Sequence, residues 1–242
     1  MEKVIYTAMS GAQHALQAQQ IHANNLANVN TTGFRADFER VQAYQLQGDS
    51  FGARVLAQEI PGGTSFNAGA LSATGRELDV AIQGSGYLTV TTADGSEAYT
   101  RAGELTLTAD GQLTLQGNAV QGDGGELVIP EYRDIKIGQD GTISITPAGG
   151  GALQEIGKLK LVNPDESLLV KNSQGLLQLS DGSQAESDDS VQVAAGFLEG
   201  SNVNPIDELI NSMSLTRNFE LQVKLMQSVD TQAQQGNELI SG

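Results

Sequence analysis

The sequence predicts an α+β fold, mainly β, in which an all-β middle domain is flanked by long N- and C-terminal α-helices. Residues 3–28 and 205–235 carry apolar side chains at alternating spacings of three and four, which is the periodicity of a helix with one apolar face. Residues 73–197 instead alternate apolar and polar side chains over short runs, as strands do. Five Asp-Gly pairs divide these runs and are typical of hairpin turns.

The N-terminal region, residues 1–30, is predicted to form one helix. Residues 3–28 contain no proline and a single glycine, Gly11. Their spacing predicts a heptad seam with one polar position. The members of this seam are Ile5, Met9, Ala12, Leu16, Gln19, Ala23 and Leu26. Because several of these side chains are small, we expect the helix to need a partner.

Residues 31–72 are predicted to form an extended linker with little core, because glycine is frequent in this stretch. The stretch includes Gly48, Gly52 and Gly69, together with the run Pro61-Gly62-Gly63.

The β domain is expected to occupy residues 73–197. Two hairpins are predicted within it, one around Asp110-Gly111 and one around Asp140-Gly141, since apolar alternating runs flank both pairs. Strands this short, separated by turns this frequent, are typical of a small barrel or sandwich.

Residues 198–242 are predicted to contain the second helix. Asn204-Pro205 is typical of a helix start, with a capping side chain before a proline at the first helical position. Asp207 and Glu208 then lie in the first turn, where the positive end of the helix dipole stabilises them. The predicted apolar seam is Leu209, Met213, Thr216, Phe219, Val223, Met226, Val229 and Ala233.

The two helices are expected to pair in an inner layer resembling a coiled coil, because each has an apolar face. The C-terminal helix also has more apolar surface than a partner of small side chains can cover. We therefore expect contacts between copies of the chain, and heterologous contacts that repeat without closure build a tube or filament.

The composition disfavours several classes of partner and site. The formal net charge is −16, and an acidic chain repels the phosphates of nucleic acids and anionic lipid headgroups. There is no cysteine, so disulfides, thiolate metal sites and cysteine nucleophiles are all excluded. No apolar run approaches the length of a signal peptide or a membrane span.

Motifs for catalysis and for cofactor binding are lacking from the sequence. Gly84-Ser85-Gly86 lacks the third glycine of a dinucleotide fingerprint and is predicted to be a turn. His14 and His22 lie too far apart on one helix to share a metal ion. The acidic loop 186–189 lacks EF-hand spacing and is predicted to be solvated, with weak calcium binding as the alternative. We expect no enzyme activity, cofactor, metal site or small-molecule substrate.

Three ordered segments resemble bacterial flagellar rod and hook proteins. They are IYTAMSGA…ANNLANVNTTGFR at 5–35, the β-domain stretches at 76–90 and 99–113, and LEGSNVNPIDELINSMSLTRNFELQVKLMQSVD at 198–230. The resemblance covers nearly the whole chain and implies a structural, non-enzymatic subunit. The opening MEKVIYTAMSGA is most similar to proximal-rod members, with distal-rod members as the alternative.

This resemblance implies export through the flagellar type III apparatus without a cleaved signal peptide. It implies assembly into the rod that crosses the periplasm and transmits motor torque. The implied partners are other copies of the chain, other rod proteins including the distal-rod protein, and the export apparatus. In the family, the terminal helices line a tube around the export channel and the β domain lies outside.

The segment ANNLANVNTTGFR places four asparagines at the end of a helix, where asparagine is a poor helix former. A helix end accounts equally well for Asn28 and Asn30, whereas the amides of Asn24 and Asn25 are expected to bind a neighbouring subunit. We expect the other predicted assembly residues to set the chain's exit from the helix, the entry of the second helix, or its contact face. They are Leu26, Gly33, Phe34, Arg35, Asn202, Asn204, Pro205, Leu209, Met213, Arg217, Phe219, Glu220, Val223 and Met226.

Three roles within this set can be stated more closely from residue type. Gly33 is expected to supply unusual backbone angles, Phe34 to anchor the outgoing chain and Arg35 to pair with an acidic group. Arg217 and Glu220 are three apart and are expected to pair either locally or between subunits.

Two other classes of protein were weighed on the sequence. An extracellular β-domain binding module or adhesin with coiled-coil tails would bind its ligand as a monomer. A carbohydrate-active enzyme is disfavoured because aromatics make up 5% of the chain and tryptophan is absent. For a rod subunit, the isolated monomer is expected to show strand and little helix by circular dichroism, since unpacked helices are marginal in water.

Overall fold

The computed structural model describes residues 2–45 and 55–241. Within these residues, two helices flank eighteen strands and one 3₁₀ turn, Glu166–Leu168. The helices are α1 (Glu2–Ala27) and α2 (Pro205–Ser241). The strands are β1 (Asp37–Gln45), β2 (Val55–Thr64), β3 (Leu71–Ala73), β4 (Val80–Gln83), β5 (Tyr87–Thr91), β6 (Glu97–Thr100), β7 (Leu105–Leu107), β8 (Leu113–Leu115), β9 (Asn118–Gly122), β10 (Gly125–Glu126), β11 (Tyr132–Ile137), β12 (Thr142–Pro147), β13 (Gln154–Lys158), β14 (Leu161–Val162), β15 (Leu169–Lys171), β16 (Leu177–Leu179), β17 (Gln192–Ala195) and β18 (Phe197–Glu199).

The chain divides into two compact units. The helical unit consists of Met1–Val29, Ala36–Ser65 and Val203–Gly242, and so contains α1, β1, β2 and α2. The β unit consists of Asn30–Arg35 and Phe66–Asn202 and contains the other strands. The predicted α+β class, with a mainly β middle between two helices, is therefore confirmed. Neither helix, over its described residues, is long and apolar enough to cross a membrane.

Residues 31–72, predicted to be a linker, contain three strands in their described part. β1 pairs antiparallel with β2, from Asp37 opposite Thr64 to Gln45 opposite Val55, and β3 pairs with β18. A Cβ atom on Gly63 would collide with the ring of Phe38, so this glycine permits close packing inside a strand. Glycine was therefore a misleading sign of a linker here. Gly48 and Gly52 lie outside the described residues.

The two helices pack against each other in antiparallel orientation. Gly11 of α1 lies against Gln222 of α2, with the position of a Cβ on Gly11 only 3.1 Å from the Gln222 amide nitrogen. Nearer the end of α1, the Gln19 amide donates to the Thr216 hydroxyl at 3.3 Å. His22 Nδ1 then bonds to the Glu208 carboxylate. Residues later in α1 therefore contact residues earlier in α2.

The buried face of α1 is displaced by one residue from the predicted seam. The side chains of Ala8, Ala12, Ala15 and Ala18 are buried, whereas Met9 and Leu16 are 43% and 44% exposed. Of the predicted set, Ala12 alone is buried. A displacement of one residue turns a helix by about 100°, so the larger apolar side chains face outward. Alanine on the inner face lets two helices approach closely.

The predicted seam of α2 matches the structure in its C-terminal half only. Phe219, Met226, Val229 and Ala233 are buried or half-buried, as predicted. Leu209 is 52% exposed and Met213 is 54% exposed, and both point away from the inner face. Polar side chains take their place: Glu208, which bonds His22, and Ser212 are half-buried.

The β unit is built from hairpins, and both predicted ones are confirmed. β7 and β8 pair around Asp110-Gly111, with Leu105 opposite Leu115. β11 and β12 pair around Asp140-Gly141, with Ile135 opposite Ile145. The largest described sheet has nine strands, seven of them in the order β15-β16-β6-β5-β9-β8-β7, with β10 on β9 and β14 on β5. The core of the β unit is aliphatic and dense, with Leu88, Leu113, Leu115 and Ile143 at most 1% exposed.

A recurring turn closes many of the β-unit loops. In each case an aspartate accepts a hydrogen bond from the backbone N–H two residues later, where serine or threonine stands. The pairs are Asp94 with Ser96, Asp140 with Thr142, Asp165 with Ser167, Asp181 with Ser183, and Asp188 with Ser190.

Candidate assembly site

Asn25, at the end of α1, is 1% exposed and binds its own chain through both amide atoms. Its Nδ2 donates to the backbone oxygen of Asp37 at 2.8 Å and to Glu208 Oε1 at 3.1 Å. Its Oδ1 accepts from the backbone N–H of Asp37 at 2.9 Å. The amide that was expected to bind a neighbouring subunit thus joins α1, β1 and α2 within the helical unit.

The other asparagines of this segment are more accessible. Asn24 and Asn30 are exposed, and Asn28 and Leu26 are half-buried. The helix ends at Ala27, and the next residue, Asn28, satisfies a carbonyl of the last turn: its Nδ2 donates to the Asn24 backbone oxygen at 2.9 Å. Asn28 is therefore a helix-ending residue, one of the two roles that its position allowed.

Gly33 and Phe34 hold the outgoing chain against the β unit. Gly33 has φ +67°, and a Cβ there would overlap the backbone of Arg101 and Ala102, so glycine is needed for both conformation and space. The Gly33 N–H donates to the Glu199 backbone oxygen at 2.8 Å. Phe34 lies under the Lys171 ammonium, which is 4.0 Å from the ring centroid. Residues 30–35 are thus held by contacts within the β unit.

Arg35 pairs with an acidic group inside the β unit, Glu199, at 2.7 Å from Nη1 to Oε1. Arg101 Nη1 lies 3.1 Å from the other carboxylate oxygen. All three side chains are at most 5% exposed. We call these three residues the Glu199 cluster. Two cations around one anion are buried only where further hydrogen bonds compensate the lost hydration.

Part of that compensation comes from backbone oxygens and from contact with one aromatic ring, whereas Arg35 Nε and Nη2 and Arg101 Nε have no hydrogen-bond partner within the described residues. Arg35 Nη1 also donates to the Asn67 backbone oxygen at 2.8 Å, and Arg101 Nη2 donates to the Gly84 oxygen at 2.7 Å. The Arg101 guanidinium lies 5.2 Å from the centroid of Tyr87. Burial lowers the pKa of Arg101, with Glu199 opposing the change, and burial raises the pKa of Tyr87 to about 12. Arg101 stays cationic and Tyr87 neutral at physiological pH.

The start of α2 is capped as the sequence predicts. Asn204 Oδ1 accepts from the Ile206 N–H at 3.1 Å, and Pro205 is the first helical residue. Asn204 Nδ2 also donates to Asp207 at 2.7 Å. Asn202 belongs to the β unit, where its Nδ2 donates to the Asn67 backbone oxygen at 2.9 Å.

The predicted assembly residues of α2 divide between two faces of the helix. Phe219, Val223 and Met226 are half-buried on the side of α1. The exposed ones are Leu209, Met213, Arg217 and Glu220. Arg217 and Glu220 form no ion pair with each other within the described residues.

Exposed apolar side chains run along the first half of α2, opposite its α1 side, and are interrupted by the exposed Arg217 between Met213 and Leu221. We call this surface the outer face. It comprises Ile206, Leu209, Ile210, Met213, Leu221 and Leu225, each 44–66% exposed. Beyond Leu225, large apolar side chains do not recur on this face through Glu238. The four-residue spacing of Ile206 and Ile210 was a signal for this face that the single predicted seam left out.

Glu199 and Arg101 are further residues that the sequence reasoning missed. They lie 98 positions apart and belong to no local pattern. Within the described residues, no group of three or more His, Asp or Glu side chains could hold a metal ion.

Comparison with known proteins agrees with this architecture from end to end. Family models match at three places: "Flagella basal body rod protein" at 5–35, "Flagellar hook protein FlgE/F/G D1 domain" at 81–145 and "Flagellar basal body rod FlgEFG protein C-terminal" at 194–239. The flagellar basal-body rod protein FlgF of Salmonella typhimurium is 39% identical to the chain, covering 100% of the chain and 99% of the relative. The chain belongs to the flagellar basal-body rod protein family.

Other members of the rod family match over similar lengths. FlgF of Escherichia coli is 40% identical over 100% of the chain and 99% of the relative. A less similar relative, the flagellar basal-body rod protein FlgG of Bacillus subtilis, is 31% identical over 95% of the chain and 96% of the relative. Both are structural rod proteins by name, and the rod family is not a family of enzymes.

Proposed function

We propose that the chain is a structural subunit of the proximal rod of the bacterial flagellar basal body. The observation that carries the proposal is the full-length match to rod proteins named FlgF, at 39–40% identity. The weaker FlgG match makes a distal-rod subunit the alternative.

The outer face of α2 supports assembly through the terminal helices. Its large apolar side chains are exposed along half of a helix whose other side already packs on α1. Contiguous exposed apolar patches of this kind mark surfaces that bind another protein. The inter-subunit set is accordingly centred on Leu209, Met213, Arg217 and Glu220, with Ile206, Ile210, Leu221 and Leu225 added. Asn25, Phe219, Val223 and Met226 serve the contacts within the chain.

In this proposal the paired helices form an inner layer of a tube that resembles a coiled coil and encloses the export channel. The β unit forms the outer layer, and the assembled rod transmits motor torque. Partners are other copies of the chain, other rod proteins and the type III export apparatus, which delivers the subunit without a cleaved signal peptide. The site of action is the rod where it crosses the periplasm.

The test is quantitative mass spectrometry of purified hook–basal bodies, with the chain measured against the other axial proteins. A few copies per particle supports the proximal rod, because a short segment contains few subunits. Many copies would transfer the chain to the distal rod. Absence from clean particles would overturn the rod proposal.

A further inference from the structure

Three separate chain segments meet at the Glu199 carboxylate in the β unit. Its Oε1 lies 2.7 Å from Arg35 Nη1 and accepts from the Gly69 N–H at 2.8 Å. Its Oε2 accepts from Arg101 Nη1 at 3.1 Å. Arg35 comes from residues 30–35, Gly69 from residues 66–69 and Glu199 from residues 199–202.

The backbones of the same segments are bonded to one another around this carboxylate. The Gly33 N–H donates to the Glu199 oxygen at 2.8 Å, and the Asn202 N–H donates to the Phe34 oxygen at 3.3 Å. The Asn67 oxygen accepts from both Arg35 Nη1 and Asn202 Nδ2, at 2.8 and 2.9 Å. Each segment is therefore bonded to both of the others.

These three segments are also the ones by which the chain enters and leaves the β unit. The unit boundaries fall after residues 29, 35, 65 and 202. All four lie within a few residues of a group in the network just described. A force that reaches the β unit along the polypeptide must arrive through these segments.

We propose that the Glu199 cluster is an exit clamp. It holds the three segments to one another, so that they separate together rather than one by one when a force acts on the chain. The proposal rests on the proposed function, since a rod subunit is loaded by torque. Hydrogen bonds between ionised groups are stronger than neutral ones. Because Glu199 is the anion between two buried cations, withdrawing its carboxylate leaves both arginines uncompensated, so the cluster resists partial opening. Lys171 adds a further tie, with its ammonium donating to the Arg35 backbone oxygen at 2.8 Å.

The first variant is Glu199→Gln, which keeps the shape and removes the charge. The second is Arg35→Met, which leaves Glu199 paired with Arg101 alone and so keeps the site close to neutral. Should Glu199→Gln fail to fold, Arg35→Met carries the test. The matched control is Glu97→Gln, another buried carboxylate of the β unit, which bonds Lys160 Nζ at 2.7 Å and the Tyr99 hydroxyl at 2.8 Å, away from these segments.

Hydrogen–deuterium exchange of the full-length chain is the direct readout. Both clamp variants are expected to speed exchange at the Gly33, Gly69 and Asn202 amides together, by about tenfold or more, while β5 and β9 stay protected. Glu97→Gln should instead affect β6 and the Ala185 amide, which bonds Tyr99. Acceleration at one of the three amides alone, or none, would overturn the clamp.

Swimming of complemented cells in media of rising viscosity gives the second readout. Cells with a clamp variant should lose speed more steeply with viscosity than cells with Glu97→Gln at matched thermal stability. An equal loss of swimming speed in clamp-variant cells and Glu97→Gln cells would show that the clamp does not resist the applied torque. If wild-type chain is absent from basal bodies, the rod proposal fails, while the exchange experiment still decides whether the three segments yield together.

Discussion

The two units of the molecule place their large apolar side chains in opposite ways. In the β unit most of them are inside: Tyr87, Tyr99, Leu88, Leu105 and Ile143 are at most 1% exposed. In the helical unit the buried face of α1 is made of alanine, with Asn25 and His22 near one end, and several of the largest apolar side chains are outside. Tyr6 and Ile206 are each 66% exposed.

This difference shows that the two units obtain their stability from different sources. Burial of apolar surface contributes about 25 cal/mol per Å², so the β unit is stabilised by its own core. An alanine seam buries little, and the helical unit leaves its richest apolar surface for another molecule to cover. In the proposed rod, one part of the chain is complete by itself and the other is completed by assembly.

The largest expected effect comes from opening the β-unit core. Leu115→Ala removes a fully buried side chain and should lower the free energy of unfolding by about 3 kcal/mol. Denaturant unfolding followed by far-ultraviolet circular dichroism measures it. Leu153→Ala is the control, because Leu153 is 59% exposed and its loss should cost less than about 0.5 kcal/mol. A similar loss of free energy of unfolding in both variants would contradict the stabilising role of the aliphatic core.

A smaller effect separates the two adjacent asparagines of α1. Asn25→Leu loses the bonds to Asp37 and Glu208 and should destabilise the helical unit by about 2 kcal/mol. Asn24→Leu, at an exposed position, should leave thermal melting of the helix signal nearly unchanged. If the two variants melt alike, Asn25 is not the buried joint of this unit. The double variant should be exported yet assemble poorly, and normal motility would contradict that expectation.

A still smaller effect is expected on the acid stability of the β unit. Hydroxyls of Thr92 and Ser96 donate to Asp94 and lower its pKa from 3.8 to about 2. A carboxyl group with a lowered folded-state pKa stabilises the fold above its unfolded value and loses that contribution as pH falls towards the folded value. Between pH 3.8 and 2, the stability of Asp94→Asn should therefore fall less steeply than that of the wild type.

The comparison variant for this pH experiment is Asp110→Asn. Asp110 lies in a similar Asp-Gly turn but is followed two residues later by Gln112 rather than by a hydroxyl residue. Identical pH profiles for the two variants would show that the hydroxyl bonds to Asp94 do not set this part of the acid response.

The smallest effect on the free chain is expected at the outer face. Leu221→Lys and Gln227→Lys each add a lysine to an exposed position of α2 and should change monomer stability by less than about 0.5 kcal/mol. They should differ in assembly, because Leu221 belongs to the outer face and Gln227 lies beyond it. Incorporation into basal bodies is the measurement, and equal incorporation of both would remove the outer face from the proposal.

The features that sequence alone predicted well are those encoded locally. A hairpin needs only a turn dipeptide and its two flanking runs, which is why β7–β8 and β11–β12 were predicted correctly. Asn204-Pro205 marked the start of α2 for the same reason. The Glu199 cluster could not be found this way, because charged residues are mostly exposed and its members come from distant parts of the chain.

The helix seams show a different limit. Apolar periodicity locates the apolar faces of a helix but does not say which one is inside when two are present. In α1 the alanines and the larger residues both repeat at helical spacing, one position apart. Hydrophobicity alone would place the larger residues inside. The close approach of the helices at Gly11 instead places the alanines inside. The pairing of β1 with β2 could not be predicted from composition, because frequent glycine is typical of a linker, whereas Gly63 makes room for the ring of Phe38.

The antiparallel pairing of α1 with α2 also sets an order of events during folding. Gln19 and Thr216 are hydrogen-bonded although 197 positions separate them, whereas the β-unit hairpins close over a few residues. Contacts between distant residues carry a larger loop-closure entropy and form late. The hairpins can therefore form while the helices are still unpaired, and each helix is then available to contact another chain before it pairs within its own.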